Sequence, residues 1–470
     1  MPKIAIIGAG SIIFCKTLIL DILATQGLED AEFCLMAPSK RHTPFVESYI
    51  KKVIKENKLP AKIWVTTDRR EALKGADYVI ATFQVGGIEG FELDYRIPLA
   101  FGVDQCIGDT LGPGGIFRAL RSIPVMLDLT RDMQELCPKA YLLNYVNPMA
   151  MVCWALGSTQ VKFIGLCHGV QTTMDLISGY VGVKKSDIDF LCAGINHMGW
   201  FLRLEHRGRD LYPILRERFE QPEYYANEKV RGEVFRQFGY FMTESTGHLA
   251  EYVPWFRKNQ KVLDLYCDEP GFGGESGAYY KWCSYVAGKY SDEDFLVNEP
   301  ARLPARSIEY GSYIIEALEC GRTFKLNGNV INGGMITNLP EDCCAEGPIY
   351  VDRTGLHKTV VGKLPSQCAA LNLTNINVQR LAVEAATSGD PEHIVHACAM
   401  DPLTAAVLSL KEIREMTAQM LKAESQWLPQ FAGKRIRPTP LINTPVGGQR
   451  AHVPVDPALA IMARFGELGK

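Results

Sequence analysis

The chain starts with a short apolar strand that runs into a glycine-containing turn and then into a helical pattern. The strand covers residues 3–7, the turn contains Gly8 and Gly10, and the helical pattern KTLILDILAT covers residues 16–25. This order is typical of a dinucleotide-binding turn, in which Gly8 permits a tight bend and Gly10 lets the backbone approach a pyrophosphate that faces the helix amides. The third glycine of that motif is absent. The alternative is therefore an ordinary strand–helix turn, as found in any α/β protein, that binds no dinucleotide.

Strand and helix patterns continue to alternate after this turn. Further apolar strands are predicted at residues 31–36, 63–67, 77–83, 140–145 and 161–166, and a long helix at 116–136. Six strands separated by helical segments predict a Rossmann-type doubly wound sheet, which we assign to residues 1–165. The loop QVGG follows the fourth strand, where a nicotinamide ribose lies in such domains, so Gln84 and Gly86 are predicted to contact the cofactor.

The second strand lacks the acidic residue that would bind the hydroxyls of an adenosine ribose. It is followed by Ala37, then Pro38, Ser39, Lys40 and Arg41. A missing acid and nearby bases suit a ribose 2′-phosphate at least as well as a bare 2′-hydroxyl, and solvated basic side chains are the simpler reading. The expected cofactor is NAD, with NADP left open.

The pattern changes near residue 165 to mixed α and β with longer connections. We predict an α+β substrate and oligomerisation domain at residues 166–430, as in lactate and malate dehydrogenases, and a Pro- and Gly-rich tail at 431–470. The elements expected there are an inserted or mobile loop at 259–300, a helix at 306–318, strands at 338–352 and 357–365, and two or three helices at 370–424.

Three apolar runs end abruptly in polar residues of the kinds that bind ligands. The first ends at Asn147, the second at Cys167 and His168, and the third at Asn196 and His197. Such runs are typical of buried parallel strands, and ligands of open α/β sheets bind beyond the carboxyl ends of those strands. Thiol and imidazole ligands indicate a divalent transition metal acting as a Lewis acid, although buried core residues are the alternative.

Further candidate residues lie in two loops and two helical stretches. Asp109 lies in the glycine-rich loop 108–115 before the long helix, and the aromatic-rich stretch 239–256 contains Glu244, His248 and Tyr252. Arg306 and Tyr310 lie near the start of the helix predicted at 306–318. We interpret all six as candidate catalytic or substrate-binding residues.

The composition excludes several kinds of partner. The 470 residues carry a formal net charge of −3, which gives no attraction toward nucleic acid or an anionic membrane. We find no signal-peptide pattern and no apolar run near the length of a membrane span, and we therefore expect a cytoplasmic protein. The 14 cysteines follow no regular spacing, so most are expected to be buried thiols.

Six motifs taken together resemble a known enzyme family. They are GAGSIIF, GDTLGPGG, NYVNPM, GLCHGV, AGINHMGW and YFMTES, in this order. The chain resembles family 4 of the glycoside hydrolases, and within it the α-galactosidase branch. These enzymes depend on NAD and depart from two-carboxylate glycosidase chemistry.

The resemblance implies a redox-neutral hydrolysis of an α-glycoside. NAD takes hydride from C3 of the sugar, an Mn²⁺-type ion on the C2 and C3 oxygens stabilises an enolate, and a base removes the C2 proton. The glycosidic oxygen then leaves from C1, water adds and the hydride returns. Relatives form dimers or tetramers, so a homo-oligomer that acts on a small glycoside is expected.

The resemblance also implies roles for individual residues. Cys167 and His197 match the metal ligands, Asn147 and Asn196 match residues near the substrate, and the nucleotide turn comprises Gly8, Gly10, Ser11 and Ile12. The C2 base is Glu244 or Tyr252, with Tyr310 as a third candidate.

The sequence departs from the family pattern at two places: the CHG motif, which contains His168, and Ala37, which stands where relatives place the ribose-binding acid. His168 stands where members that cleave phosphorylated α-glucosides carry the Asp that protonates the leaving oxygen, and CHG replaces the CHS of the nearest branch. An α-glucosidase, an α-glucuronidase or an α-galacturonidase is therefore the alternative within the family. A net NAD(P)-dependent dehydrogenase and a nucleotide-binding protein without catalysis are the alternatives outside it.

Overall fold

The computed structural model describes residues 1–470 apart from 40, 290–295, 297–298, 445, 450, 455, 459–460, 462–464 and 467–470. The chain divides into two compact units, Met1–Ile436 and Arg437–Lys470. Phe431 and Ile436 are buried in the first unit, so the second begins a few residues after the tail predicted at 431. Lys40, one of the two bases predicted near the ribose, lies outside the described residues.

The strands of the first unit form one sheet of 12 strands among the described residues, in the order β3-β2-β1-β4-β5-β6-β10-β11-β7-β8-β9, with β12 paired to β11. Their bounds are β1 Lys3–Ile7, β2 Glu32–Met36, β3 Lys62–Thr66, β4 Tyr78–Ala81, β5 Tyr141–Asn144, β6 Lys162–Gly165, β7 Asp189–Ile195, β8 Met198–His206, β9 Arg209–Asp210, β10 Phe324–Ile331, β11 Cys344–Asp352 and β12 Gly355–Lys358.

The first six strands are parallel, and their order 3-2-1-4-5-6 is that of a Rossmann domain. Their side chains are buried on both faces, which is why these strands appear in the sequence as continuous apolar runs. The predicted doubly wound sheet is confirmed. The boundary predicted near residue 165 stays a prediction, since the sheet continues across it through the pairing of β6 with β10.

The other half of the sheet is antiparallel. β10 pairs with β6 and β11, and β11 pairs with β7, all in antiparallel register. β7 and β8 form a hairpin whose turn carries Asn196 and His197. The interpretation of the third apolar run as a parallel strand was therefore wrong, because burial on both faces produces the same apolar pattern in either strand direction.

Helices cover the sheet. Their bounds are α1 Ile12–Leu23, α2 Thr43–Glu56, α3 Arg69–Leu73, α4 Gly87–Ala100, α5 Gly112–Leu136, α6 Met149–Leu156, α7 Gly169–Val181, α8 Tyr212–Phe219, α9 Pro222–Tyr225, α10 Lys229–Phe238, α11 Thr246–Tyr252, α12 Gln260–Tyr266, α13 Ala278–Lys289, α14 Tyr310–Cys320, α15 Ser366–Ser388, α16 Pro391–Met400, α17 Pro402–Val407 and α18 Leu410–Ala423. No helix among the described residues is both long and apolar enough to cross a membrane.

Several predicted bounds change. The stretch 259–300 contains α12 and α13, so its interpretation as a loop was wrong over those residues, and 290–295 and 297–298 lie outside the described part. The helix predicted at 306–318 starts at Tyr310 and leaves Ile308 half-exposed before it. Four helices instead of two or three occupy the region from Ser366 to Ala423.

The start of α5 explains the glycine-rich loop that precedes it. A Cβ on Gly115 would lie 2.5 Å from the carbonyl carbon of Thr110, so this helix can pack so closely only without a side chain there. Pro113 lies in the first helical turn, where its missing N–H costs no hydrogen bond. This packing presents Asp109 and Thr110 beyond the carboxyl edge of the parallel strands.

Candidate metal centre and cofactor site

Cys167 and His197 meet beyond the end of β6. The Sγ atom of Cys167 lies 3.3 Å from Nε2 of His197, and the amide of Gly169 donates to the same sulfur over 3.5 Å. His197 is 6% exposed and has a φ of 62°, which the tight β7–β8 turn imposes. The structure thus brings together the two predicted metal ligands, although their segments run in different directions.

The other ring nitrogen of His197 is held from behind. Nδ1 lies 3.2 Å from the hydroxyl of Thr110 and 3.2 Å from the hydroxyl of Tyr252. Contacts of this kind fix the orientation of a metal-binding imidazole and leave the opposite nitrogen free for the ion. Tyr252 was predicted as a base and lies in this supporting position. Its pKa is raised well above 10, by burial first and by Glu251 and Asp109 next.

Glu244 adds a carboxylate to the pair. One of its oxygens, Oε1, lies 3.9 Å from Nε2 of His197, and the ligand atoms of Cys167, His197 and Glu244 all lie within 4.8 Å of one another. Burial raises the pKa of Glu244, but the imidazoles of His197, His248 and His168 more than offset it, so the net shift is downward. Sulfur, nitrogen and carboxylate donors in one group fit a divalent transition metal.

The thiol of Cys167 needs such an ion to become a good ligand. Its pKa is raised well above 9 by burial, and by Glu244 and Glu346 nearby. Glu346 is itself buried beside Asn329 in the sheet, and burial raises its pKa to about 8. A bound cation would offset these negative charges, because metal binding and thiol deprotonation are coupled.

Asp109 and Asn147 lie on the adjoining side of His197. The side-chain amide of Asn147 donates to Oδ2 of Asp109 over 2.8 Å, and Thr110 donates to Oδ1 over 2.7 Å. Burial alone would raise the pKa of Asp109, but the Arg118 guanidinium in the first place, and the nearby His248 and His197, lower it. An ionised carboxylate and an amide therefore face the space beside the metal ligands.

His248 and Glu251, both on α11, support this arrangement. The ring of His248 lies 5.0 Å from that of His197 at a steep angle, and its Nδ1 lies 2.9 Å from the hydroxyl of Ser245. Burial lowers the pKa of His248 to about 4, so the imidazole is neutral. The carboxyl oxygens of Glu251 accept from the backbone of Ile107 and Gly108 over 3.0 and 2.9 Å.

The turn after β1 fits a dinucleotide. Gly8 has a φ of 97°, and a Cβ there would lie 2.6 Å from the backbone nitrogen of Phe83, whereas a Cβ on Gly10 would meet nothing within 4 Å. One glycine therefore serves the tight packing of the turn, and the other leaves open space at the start of α1, next to Ser11 and Ile12. Ala37, which occupies the position of the ribose-binding acid, is 6% exposed at the end of β2.

The loop after β4 makes contacts that the sequence did not predict. Gln84 donates to the carbonyl of Gly87 over 3.0 Å and accepts from Arg118 over 3.2 Å. A Cβ on Gly86 would lie 3.2 Å from Nε of Arg121, so this glycine makes room for a buried arginine.

Comparison with known proteins decides the family. A model described as family 4 glycosyl hydrolase matches residues 3–183, and a model of the C-terminal domain of family 4 glycosyl hydrolases matches residues 192–404. The chain belongs to glycosyl hydrolase family 4. The predicted family is confirmed.

Two relatives of this family 4 chain are α-galactosidases. The protein from Rhizobium meliloti (strain 1021) is 42% identical over 92% of this chain and 90% of its own length, and that from Bacillus subtilis (strain 168) is 40% identical over 92% and 100%. A solved 6-phospho-α-glucosidase from gut microorganisms, in complex with NAD and Mn²⁺, is 20% identical with a TM-score of 0.74 and covers 91% of this chain and 99% of its own. At that identity the likeness concerns the fold.

His168 of the family 4 chain lies at the edge of the centre. Its side chain is 49% exposed, and Nδ1 lies 3.4 Å from a carboxylate oxygen of Glu309. A hydrogen bond to Glu309 raises the pKa of His168 against the effect of burial. Sequence reasoning missed Glu309, although the adjacent Tyr310 was a candidate, because Glu309 lies 141 positions from His168 in the sequence.

The remaining predicted residues divide into two groups. Tyr310 and Asn196 lie near Cys167. Burial raises the pKa of the Tyr310 phenol, with further contributions from Glu346 and Cys167. The side-chain oxygen and nitrogen of Asn196 are buried and have no hydrogen-bond partner among the described residues. Arg306 is not brought to the centre. Its guanidinium lies 3.5 Å over the ring of Tyr313 and donates to Ser312, both on α14.

Proposed function

We propose that this family 4 enzyme hydrolyses α-galactosides in a redox-neutral reaction that uses NAD and a divalent metal ion. The observation that carries the chemistry is the close pair of Cys167 and His197 at the edge of a dinucleotide-binding sheet. The identity of 42% and 40% to two α-galactosidases supports the sugar. When bound, NAD supplies a reversible hydride acceptor and the ion supplies a Lewis acid for sugar oxygens.

We assign the binding and proton-transfer roles to the following residues of the chain. The turn from Gly8 to Ile12 receives the dinucleotide, and Cys167 and His197 hold the ion. Asp109 and Asn147 form a hydrogen-bonded pair that can accept from and donate to sugar hydroxyls. His168, with its imidazole half-exposed at the edge, is placed to protonate the departing glycosidic oxygen.

The C2 proton requires a base, and the candidates remain Glu244 and Tyr252, with Tyr310 as the third. The raised pKa of Tyr252 keeps the phenol protonated at neutral pH, so this side chain can act as a base only with a nearby cation. Glu244 is ionised but lies within the group of metal ligands. A cytoplasmic location and assembly as a homodimer or homotetramer belong to the same proposal and are supported by the family resemblance.

A substrate panel tests this function. The protein, supplied with NAD⁺, Mn²⁺ and a thiol, is expected to cleave 4-nitrophenyl α-galactoside faster than the matching α-glucoside and α-galacturonide. In D₂O the released galactose should carry deuterium at C2. NADH absorbance at 340 nm should not accumulate with turnover, because the hydride returns to the sugar.

Each alternative gives a different result in the same assay. Faster cleavage of the α-glucoside or of the α-galacturonide would show that the proposed sugar specificity is wrong and leave the proposed reaction unchanged. NADH formation in proportion to turnover would identify a net dehydrogenase. If all three glycosides remained intact, the proposed function would be wrong.

A further inference from the structure

Glu244 presents a nearly buried carboxylate without a hydrogen bond. Its side chain is 11% exposed, and its contacts with His197 and His248, at 3.9 and 3.8 Å, are longer than hydrogen bonds. Within the described part of the chain, neither carboxylate oxygen accepts a hydrogen bond from a donor. A buried carboxylate is costly unless it is paired or binds a metal, so this side chain needs a cation.

The backbone around Glu244 is shaped to bring the carboxylate to this place. Glu244 has a φ of 76°, a left-handed conformation that a residue with a long side chain rarely adopts. Strained conformations of this kind persist where the surroundings hold them and are concentrated at functional sites. The strain directs the side chain across the start of α7.

Gly169 leaves the room that the carboxylate occupies. A Cβ on Gly169 would lie only 1.7 Å from Oε1 of Glu244 and 3.6 Å from Sγ of Cys167. No side chain could be present at residue 169 without displacing the carboxylate. The glycine of the CHG motif therefore has a packing reason that is independent of the sugar.

We propose that Glu244 is the third protein ligand of the divalent ion held by Cys167 and His197, and that Gly169 is required for it. The distances agree: the sulfur and nitrogen lie 3.3 Å apart, and the carboxylate oxygen lies 3.9 Å from the nitrogen. Two ligands on a zinc-sized ion lie about 3.5 Å apart in tetrahedral geometry. Three ligands on one side leave the opposite side of the ion open to sugar oxygens.

This inference rests on the proposed function for the presence of the ion, and it assigns Glu244 to the metal instead of to the C2 proton. Of the three sequence-predicted bases, Tyr252 and Tyr310 then remain. The two roles of Glu244 are separable by experiment, because a metal ligand affects ion binding in the absence of substrate and a base does not.

The test is a titration of the metal-free, reduced full-length protein with Mn²⁺, followed by calorimetry and by the electron paramagnetic resonance spectrum of bound Mn²⁺. Glu244→Gln keeps the size of the side chain and is expected to weaken Mn²⁺ binding at least tenfold. Gly169→Ala leaves Glu244 in the sequence but displaces its carboxylate, and the same loss is expected. Both spectra should differ from that of the parent protein.

Two matched controls separate ligand loss from general damage. Gly179→Ala also places a methyl group on α7, where a Cβ meets nothing within 4 Å, and Glu316→Gln removes a buried carboxylate that is paired with Arg306. Both should bind Mn²⁺ like the parent. An unchanged affinity for NAD⁺ shows that Glu244→Gln and Gly169→Ala are folded.

The outcomes are distinct. If Glu244→Gln and Gly169→Ala bind Mn²⁺ with the parent affinity and spectrum, the inference is overturned, and loss of C2 deuteration in Glu244→Gln would then identify the base. If the parent protein itself binds no divalent ion, the proposed function fails first. Reduced affinity in both variants, with both controls unchanged, supports the third ligand.

Discussion

His197 uses its two ring nitrogens differently. Nε2 faces Cys167, and Nδ1 contacts the hydroxyls of Thr110 and Tyr252, both at 3.2 Å. If Nδ1 carries the proton and donates it to these oxygens, Nε2 keeps its lone pair for the ion.

Removing these supporting hydroxyls should weaken metal binding without removing a ligand. We expect the double variant Thr110→Val with Tyr252→Phe to lower the affinity for Mn²⁺ about 10- to 100-fold, as is usual for partners of metal-binding imidazoles. Isothermal titration with Mn²⁺ measures the effect. The single variants Thr110→Val and Tyr252→Phe are the controls. Each keeps one of the two hydroxyls and is expected to lose less affinity for Mn²⁺ than the double variant.

His168 should affect substrates according to their leaving groups. Glu309 holds one ring nitrogen, at 3.4 Å, while half of the side chain remains exposed. If the imidazole protonates the glycosidic oxygen, His168→Asn should lower kcat for a disaccharide far more than for 4-nitrophenyl α-galactoside, whose leaving group needs no proton. Equal losses on both substrates would assign His168 a role other than the acid.

Glu251 should make the stability of the protein depend on pH. Burial raises the pKa of its carboxyl from the ordinary 4.5 to about 8, against the opposing effect of two backbone N–H groups and Arg257. The folded protein therefore keeps a proton that the unfolded chain releases, and this contribution to stability is lost as the pH rises from about 4.5 to about 8.

Glu251→Gln cannot ionise and should remove that dependence. The difference in melting temperature between the variant and the parent should move in favour of the variant from pH 5 to pH 8. Differential scanning fluorimetry at several pH values measures it, with Glu384→Gln on the exposed side of α15 as the control. A difference that does not change with pH would show that Glu251 is ionised in the fold.

The site residues that could be predicted from sequence alone are those whose side chains are themselves typical ligands. Cys167 and His197 follow apolar runs and combine thiol and imidazole, and they lie where expected. Glu309, Thr110 and Glu251 gave no such signal, because each acts through a partner that is distant in sequence. Arg306 shows the reverse. A charged residue near a predicted helix start suggested a ligand contact, but Arg306 precedes α14 and is satisfied by Tyr313, Ser312 and Glu316 of that helix.

Among the structural elements, the turn between β1 and α1 assigns different tasks to its two glycines. A methyl group on Gly8 would collide with the backbone of Phe83, and one on Gly10 would point into open space. We expect Gly8→Ala to lower the melting temperature, since a left-handed residue with a side chain alone costs about 1–3 kcal/mol. Gly10→Ala should keep the melting temperature but bind NAD⁺ more weakly. Calorimetry of both variants measures the two quantities, and equal effects would contradict this division.

The parallel half of the sheet could be predicted. In the antiparallel half, strands overlapping β7, β11 and β12 were predicted, but β10 and the antiparallel pairing were not. β1 to β6 follow one another in short strand–helix units whose apolar runs are easy to recognise. β10 carries Asn327 and Asn329, which are buried and donate to the carbonyls of Cys192 and Gly165. A strand with buried polar residues, one of whose two partner strands is β6, more than a hundred residues away, has no local pattern that reveals it.

At the scale of the whole molecule, the first 165 residues depend on the rest of the first unit. α5 packs against α15 and α16, and β6 pairs with β10. A fragment of residues 1–165 would expose these apolar surfaces, so we expect it to bind a hydrophobic dye and to lack a cooperative thermal transition. The full chain should show one main transition for Met1–Ile436. A cooperative transition in the fragment would instead support an independent domain.

The strand order also determines when the metal site can form during synthesis. Gly165, next to Cys167, pairs with Asn329 of β10, and Gly194, next to the His197 turn, pairs with Glu346 of β11. The two ligand-bearing strands are therefore joined through strands that the ribosome makes more than a hundred residues later. A nascent chain that has emerged only to His197 holds both ligands but not the frame between them. We therefore expect the ion to be loaded only after β11 has emerged, so that metal binding reports the pairing of the central strands.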